Sequence, residues 1–236
     1  MSEGAYEIVL PDVDHIITED DAPMDNLPSE KQQRLLTEPL YSSWRGPRPF
    51  LAAANVGIFP SVHTPPIVPD MFLSMGVEAP QDWWAKRHRT YFAWEFGKAP
   101  EVVMEIVSNR EGDELTRKLD AYGRMGVAYY VVYDPQRLLQ TEPVALYVRQ
   151  GAAWNRAEDL RLEGVGLSLT LWRGTFEDRE DEWLRWCDAA GELIPTGAER
   201  AEAERQRAEA ERQRADEAER QVAALRARLR ALGVEE

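Results

Sequence analysis

EVVMEIVSNREGDELTRKLDAYGRMGVAYYVVYDP, residues 101–135, decides the fold. Glu101 to Ser108 is rich in β-forming residues and bounded by Pro100 and Asn109, which reads as a strand. Asp113 to Met125 then carries Leu115, Leu119, Tyr122 and Met125 at helical spacing, on or near one face. Gly126 follows in the C′ position, where a left-handed residue ends a helix. Val127 to Tyr133 is a second strand, stopped by Asp134-Pro135. Strand, helix and strand with a short exit make a crossover unit, and so predict an α/β domain built on a mixed β-sheet flanked by helices.

Outward from this unit the pattern is less regular. Residues 1–28 are polar, acidic and Pro-containing, and are expected to form an arm around the domain. Ser29 followed by Glu30-Lys31-Gln32-Gln33-Arg34-Leu35-Leu36 reads as a capped helix start, running to about Trp44 with a break or kink at Pro39. Phe50 to Val56 and Ile67 to Ser74 read as strands. Strands near Ala145 to Arg149 and Leu167 to Leu171 are expected to extend the same sheet, and a helix from Asp181 to Ala190 to close a domain over 1–196.

The segment 197–236 is a separate object. Ala-Glu-Ala-Glu-Arg-Gln-Arg occurs from Ala201 and again from Ala208, a strict seven-residue repeat. Placing Ala201, Ala208, Ala215, Val222 and Leu229 at heptad position a puts Glu204, Glu211, Ala218, Leu225 and Leu232 at d. Only the last heptads therefore offer an apolar coiled-coil seam. The earlier part reads as a solvated charged helix with acid–arginine pairs at helical spacing.

Composition sets bounds on function. The chain of 236 residues is long enough for one well-buried domain and an appendage. No stretch approaches the roughly 18 apolar residues of a membrane span, and Met1-Ser2-Glu3-Gly4 lacks the basic start of a secretory signal. Cys187 is the single cysteine, so no intrachain disulfide forms and a reducing, cytoplasmic setting is expected. His15, His63 and His88 are scattered without zinc spacing. The net charge of −14 disfavours a protein that grips nucleic acid through a broad basic footprint. The tail contributes little to it, having nine Arg against ten acids.

The chemistry-bearing residues are acids in places where acids are costly. Glu105 lies inside the apolar run Val102-Val103-Met104-Glu105-Ile106-Val107, where an unpartnered carboxylate would be strongly disfavoured. Pro69-Asp70 closes an extended stretch, and Lys118 follows on the next helix. Two acids converging from neighbouring strands, with a lysine beside them, are the parts needed to hold a divalent metal and hydrolyse a phosphodiester.

Taken singly, each residue has a plainer role. Asp70 fits a Pro-Asp turn, Glu105 a strand-edge ion pair, Lys118 an exposed helix lysine and Asp113 a helix cap. Tyr122, Tyr129 and Tyr130 fit the core or its rim. The segment Trp83-Trp84-Ala85-Lys86-Arg87-His88-Arg89-Thr90-Tyr91 is the one basic, aromatic-rich patch. It reads either as a DNA-contacting loop using Lys86, Arg87 and Arg89, or as an insertion whose tryptophans pack on the domain.

The joint order of Pro69-Asp70, Glu105-Ile106-Val107-Ser108, Asp113, Lys118-Leu119, Tyr122, Gly126-Val127, Tyr130 and Asp134-Pro135 resembles the Uma-two family. That family is an uncharacterised-domain group within the PD-(D/E)xK nuclease superfamily, and the resemblance covers about residues 20–175. It implies a restriction-endonuclease-like fold, a divalent metal (Mg²⁺ or Mn²⁺) and cleavage of DNA. Asp70 and Glu105 would then be metal ligands with the backbone carbonyl of Ile106, and Lys118 would orient the attacking water or stabilise the transition state. The superfamily motif would place its lysine at position 107, which here is Val107. In the family resembled the matching lysine lies on the following helix, at Lys118. Glu30 on the first helix is a candidate supporting acid. A nuclease-fold scaffold without turnover is the competing reading, and a homo-oligomer formed through the fold or the tail is expected in either case.

Overall fold

Asn26, and not Ser29, starts the first helix, α1 (Leu27–Ser42): its side chain accepts the Ser29 N–H at 3.0 Å. Pro28 sits in the first turn, where a missing N–H leaves no bond unmade. Pro39 does not break the helix. The turn continues to Ser42, and the Pro39 carbonyl receives the N–H groups of both Ser43 and Trp44, at 2.9 and 3.0 Å. The computed structural model describes residues 26–82, 84–110 and 114–231, so most of the N-terminal arm, Trp83 and Asp113 lie outside the described residues.

After α1 come β1 (Phe50–Ala53), β2 (Ile58–Phe59), β3 (Met71–Met75), β4 (Tyr91–Phe92), α2 (Ala93–Phe96) and β5 (Val102–Ile106). A π-helical turn (Glu114–Lys118) runs directly into α3 (Leu119–Met125). Then follow β6 (Tyr129–Tyr133), β7 (Val144–Gln150), β8 (Ala153–Arg156), β9 (Arg161–Leu162), β10 (Leu167–Phe176), β11 (Arg179–Asp188) and α4 (Gly197–Ala231). The strands expected from Phe50 and Ile67 are shorter than the sequence suggested, and Ile67 makes only a single bridge to Ile58.

Six strands form the main sheet in the order β1-β3-β5-β6-β7-β8. Only β5 and β6 are parallel; the other pairs are antiparallel, so the sheet is mixed as expected. The parallel pair is joined by the π turn and α3, which end at Gly126 with a φ of 96°. An L side chain rarely adopts that angle, which accounts for glycine at this stop.

Both faces of β5 are covered, so all five of its residues are buried. Val102, Met104 and Ile106 pack with Leu36 and Leu40 of α1 and with Leu184 and Trp186 of β11. Val103 and Val107 pack on the other side with Tyr122, Val127, Tyr130 and Val132. A strand buried on both faces reads as an unbroken apolar run, and Glu105 is the interruption.

The C-terminal part of this unit departs from the sequence expectation twice. Leu167 to Leu171 belongs to β10 in a second, three-stranded sheet ordered β11-β10-β9, and does not extend the main sheet. Asp181 to Ala190 is not a helix: β11 occupies Arg179–Asp188 and pairs with β10 over its whole length. The spacing of Trp183, Leu184, Trp186 and Cys187 imitates a helical face, but all are buried on strand backbone. The overlooked signal was the two-residue turn Glu177-Asp178, whose φ values of 45° and 62° are those of a tight hairpin.

Helix α1 is tied to this hairpin by backbone mimicry. The Gln32 amide donates to the Leu184 carbonyl at 2.7 Å and accepts the Leu184 N–H at 3.0 Å. The Trp186 indole donates to the Leu36 carbonyl at 2.8 Å.

Asp134 organises the exit from β6. Fully buried, it accepts the N–H groups of Leu138, Leu139 and Gln140 at 2.8, 2.7 and 3.1 Å. Asp134→Ala strands these donors, and is expected to cost about 3 kcal/mol of stability. Thermal unfolding measures this, and an unchanged Tm contradicts it.

The chain divides at Ile194 into two compact units, the second being Pro195–Glu236. In the second unit α4 is one continuous helix, started by a reciprocal cap. The Glu199 N–H donates to Thr196 Oγ1 at 3.1 Å and the Thr196 N–H to Glu199 Oε2 at 2.7 Å. Arg205–Glu202 and Arg220–Glu217 pairs at 2.5 and 2.9 Å decorate an exposed helix surface. Val222, Leu225 and Leu229 are 48%, 61% and 45% exposed, so the apolar seam is open in this chain.

Candidate active site

Strand register brings the two acids together. β3 and β5 are antiparallel with Met71 opposite Met104 and Phe72 opposite Val103. One step further along the same register sets Asp70 against Glu105. Side chains alternate across a strand, so both carboxylates project on the face that carries Phe72 and Val103, toward α3.

Asp70 is locked in place. Its Oδ2 accepts the Ile106 N–H of the neighbouring strand at 2.6 Å, and its Oδ1 accepts the Gln33 amide of α1 at 2.9 Å. Gln33 is itself oriented by Asn55, whose Nδ2 donates to Gln33 Oε1 at 2.9 Å. Asn55 has a φ of 53°, a left-handed conformation that asparagine tolerates better than most residues.

Glu105 meets the helix. Its Oε2 lies 2.8 Å from Lys118 Nζ, and its Oε1 accepts the Tyr122 hydroxyl at 2.6 Å. Lys118 also stands 3.6 Å from Glu114 Oε1. Lys118 and Tyr122 thus both reach a single strand residue, with Glu114 standing beside Lys118. The hydroxyl of Tyr130 on β6 donates to the Glu114 carbonyl at 2.9 Å and fastens the turn to the sheet. Single-turn π segments are frequent at functional sites.

Burial governs the electrostatics. Glu105 is 1% exposed, and burial pushes its carboxyl up to about 8, with Lys118 opposing the rise and Asp70 adding to it. Burial acts to lower the Lys118 ammonium, but Glu105, Glu114 and Asp70 outweigh it and hold the pKa above its ordinary value. The phenols of Tyr122 and Tyr130 are driven up by burial and by Glu105, and both remain protonated donors.

This donor set bears directly on a cation. Among the described residues no three or more His, Cys, Asp or Glu side chains form a metal-holding group. A cation would therefore rest on the two carboxylates, with backbone and water oxygens completing its shell. The pair fits a hard divalent ion: Glu105 is buried and short of positive charge even with Lys118 beside it. The Ile106 peptide lies at the same point, since its N–H already holds Asp70.

The remaining expected site residues are placed as follows. Glu30 is away from the carboxylates, paired with Arg34 at 2.7 Å, and Gln33 takes the place on α1 expected of it. Lys86 and Arg87 lie on a short 3₁₀ turn, Lys86–His88, which Arg89 follows. Arg87 stands 3.6 Å from Glu95, and Arg89 Nε donates to the Trp84 carbonyl at 3.0 Å. Residues missed from sequence were Gln33, Asn55 and Glu114. Glu114 had a usable signal, the i, i+4, i+8 spacing of Glu114, Lys118 and Tyr122. The long-range Gln33–Asp70 contact had none.

The family model Uma2, described as "Putative restriction endonuclease", matches residues 13–172. The chain belongs to this family. A solved structure described as a "putative nuclease belonging to DUF820", from Anabaena variabilis, is similar with a TM-score of 0.41 and 16% identity. The match covers 58% of this chain and 71% of that one. No curated protein matches the chain.

Proposed function

We propose that this protein is a divalent-metal-dependent endodeoxyribonuclease that hydrolyses phosphodiester bonds at Asp70, Glu105 and Lys118. The observation that carries this reading is the convergence of Asp70, which accepts the Ile106 N–H at 2.6 Å, with Glu105, whose Oε2 lies 2.8 Å from Lys118 Nζ. Membership of a family described in restriction-endonuclease terms supports it.

In this reading Asp70, Glu105 and the Ile106 carbonyl would hold Mg²⁺ or Mn²⁺. The ion supplies Lewis acidity and a lowered water pKa. The protein supplies position. Gln33 and the Ile106 N–H keep Asp70 fixed, Tyr122 keeps Glu105 fixed, and the Lys118 ammonium offers positive charge to the phosphate as negative charge develops on it. Lys86, Arg87 and Arg89 are the proposed contacts to the DNA backbone. The lone thiol, Cys187, is buried and suits a reducing, cytoplasmic setting. Among the described residues no helix is long and apolar enough to cross a membrane.

Cleavage of supercoiled plasmid and of single-stranded DNA, with Mg²⁺, Mn²⁺ or EDTA, tests the proposal. Metal-dependent nicking by wild type is the expected result. No cleavage under any of these conditions favours a nuclease-fold binding protein, a reading that draws on Val107 at the motif lysine's place and on the net charge of −14.

We also propose that α4 associates with a second copy through the open seam of Val222, Leu225 and Leu229. Light scattering is expected to give a dimer for the full chain and a lower mass for a chain ending before Gly197; equal masses refute it.

A further inference from the structure

Among the described residues, Glu114 is an acid beside the site with an unmet need. It is 8% exposed, and its Oε2 has no hydrogen-bond partner among them. Its Oε1 lies 3.6 Å from Lys118 Nζ, beyond hydrogen-bond reach, while the ammonium sits 2.8 Å from Glu105. A buried carboxylate oxygen left without a donor is strongly disfavoured, and native proteins keep few of them. The backbone holds Glu114 there regardless, because Tyr130 anchors its carbonyl and the π turn sets its direction.

We propose that Glu114 is a positioning residue that receives Lys118 when Glu105 takes up a cation. The inference rests on the metal reading above and goes beyond it by giving the lysine a second seat. In the metal-free state Lys118 Nζ sits against Glu105 at 2.8 Å. A divalent ion held by Asp70 and Glu105 would claim the same carboxylate oxygens and repel the ammonium. Released alone, a lysine with 28% of its side chain exposed would swing toward solvent. With Glu114 in place it moves a short way to the waiting carboxylate. It remains charged and fixed at the site, and Glu114 gains the donor it lacks.

The test is a double-mutant cycle of Lys118→Met and Glu114→Gln on thermal stability, run in EDTA and in saturating Mn²⁺. The hand-over predicts a Lys118–Glu114 coupling that is small in EDTA and larger in Mn²⁺ by at least about 2 °C in Tm. Glu114→Asp, which keeps the charge, is expected to restore part of the Mn²⁺-specific coupling. A purely structural role for Glu114 gives the same coupling with and without metal, and that result overturns the proposal while leaving the metal reading intact. If wild type shows no Mn²⁺-dependent rise in Tm, both the metal reading and the hand-over fail.

Discussion

Glu105→Gln is expected to abolish metal-dependent cleavage, lowering the rate by at least about a thousandfold. The substitution keeps the shape of the side chain and an oxygen for the Tyr122 hydroxyl or Lys118 Nζ, so the fold should survive. What it removes is the negative charge that, with Asp70, makes the site attractive to a hard cation. Asp70→Asn should behave in the same way, with an added cost because an amide nitrogen can face the Ile106 N–H that Asp70 now receives at 2.6 Å. Initial rates of plasmid nicking in Mg²⁺ or Mn²⁺, normalised to folded protein, measure the effect. Activity within tenfold of wild type for Glu105→Gln would place the chemistry elsewhere.

The same residue should have the opposite effect on stability. In EDTA, wild type should lose stability relative to Glu105→Gln as the pH is raised from 5 to 8. Burial raises the Glu105 carboxyl from an ordinary 4.5 to about 8, so across this window the folded protein keeps a proton that the unfolded chain has released. Stability therefore falls with rising pH: the contribution is whole below about 4.5 and is lost as the pH passes the folded value. The expected change in the difference between the two proteins is roughly 3 kcal/mol. Thermal unfolding of both proteins at several pH values reads it directly, and parallel Tm curves would show that Glu105 is ionised throughout. Together the two experiments would show a site in which the charge required for function is costly to the metal-free fold.

How far the sequence could be read depended on how local the decisive contacts were. The crossover from β5 through α3 to β6 was legible because strand pattern, helical face and the Gly126 stop all lie within one short stretch. Asp70, Glu105 and Lys118 stood out for their order, and Glu105 for its apolar neighbours. The strand assignment of residues 179–188 was not legible, because Trp183, Leu184, Trp186 and Cys187 fit a helical face as well as a strand buried against α1. Pairing with β10 made that choice. Gln33 and Asn55 were invisible for a different reason. Both are ordinary polar residues, and their place beside Asp70 follows from how α1 lies across the sheet, which no local spacing records.

The contact between Gln32 and Leu184 has a consequence for how this protein behaves in a crowded solution. The outer side of β11 is the end of its sheet, and an open end offers backbone groups to any passing extended chain. Gln32 answers both groups of Leu184, and the Ile194 N–H donates to the Trp186 carbonyl at 2.9 Å. Two side-by-side stretches of the chain's own length thus stand guard over a surface that would otherwise recruit strangers. The first helix is in this sense a protective cover as well as part of the core, and its loss would first be felt as aggregation.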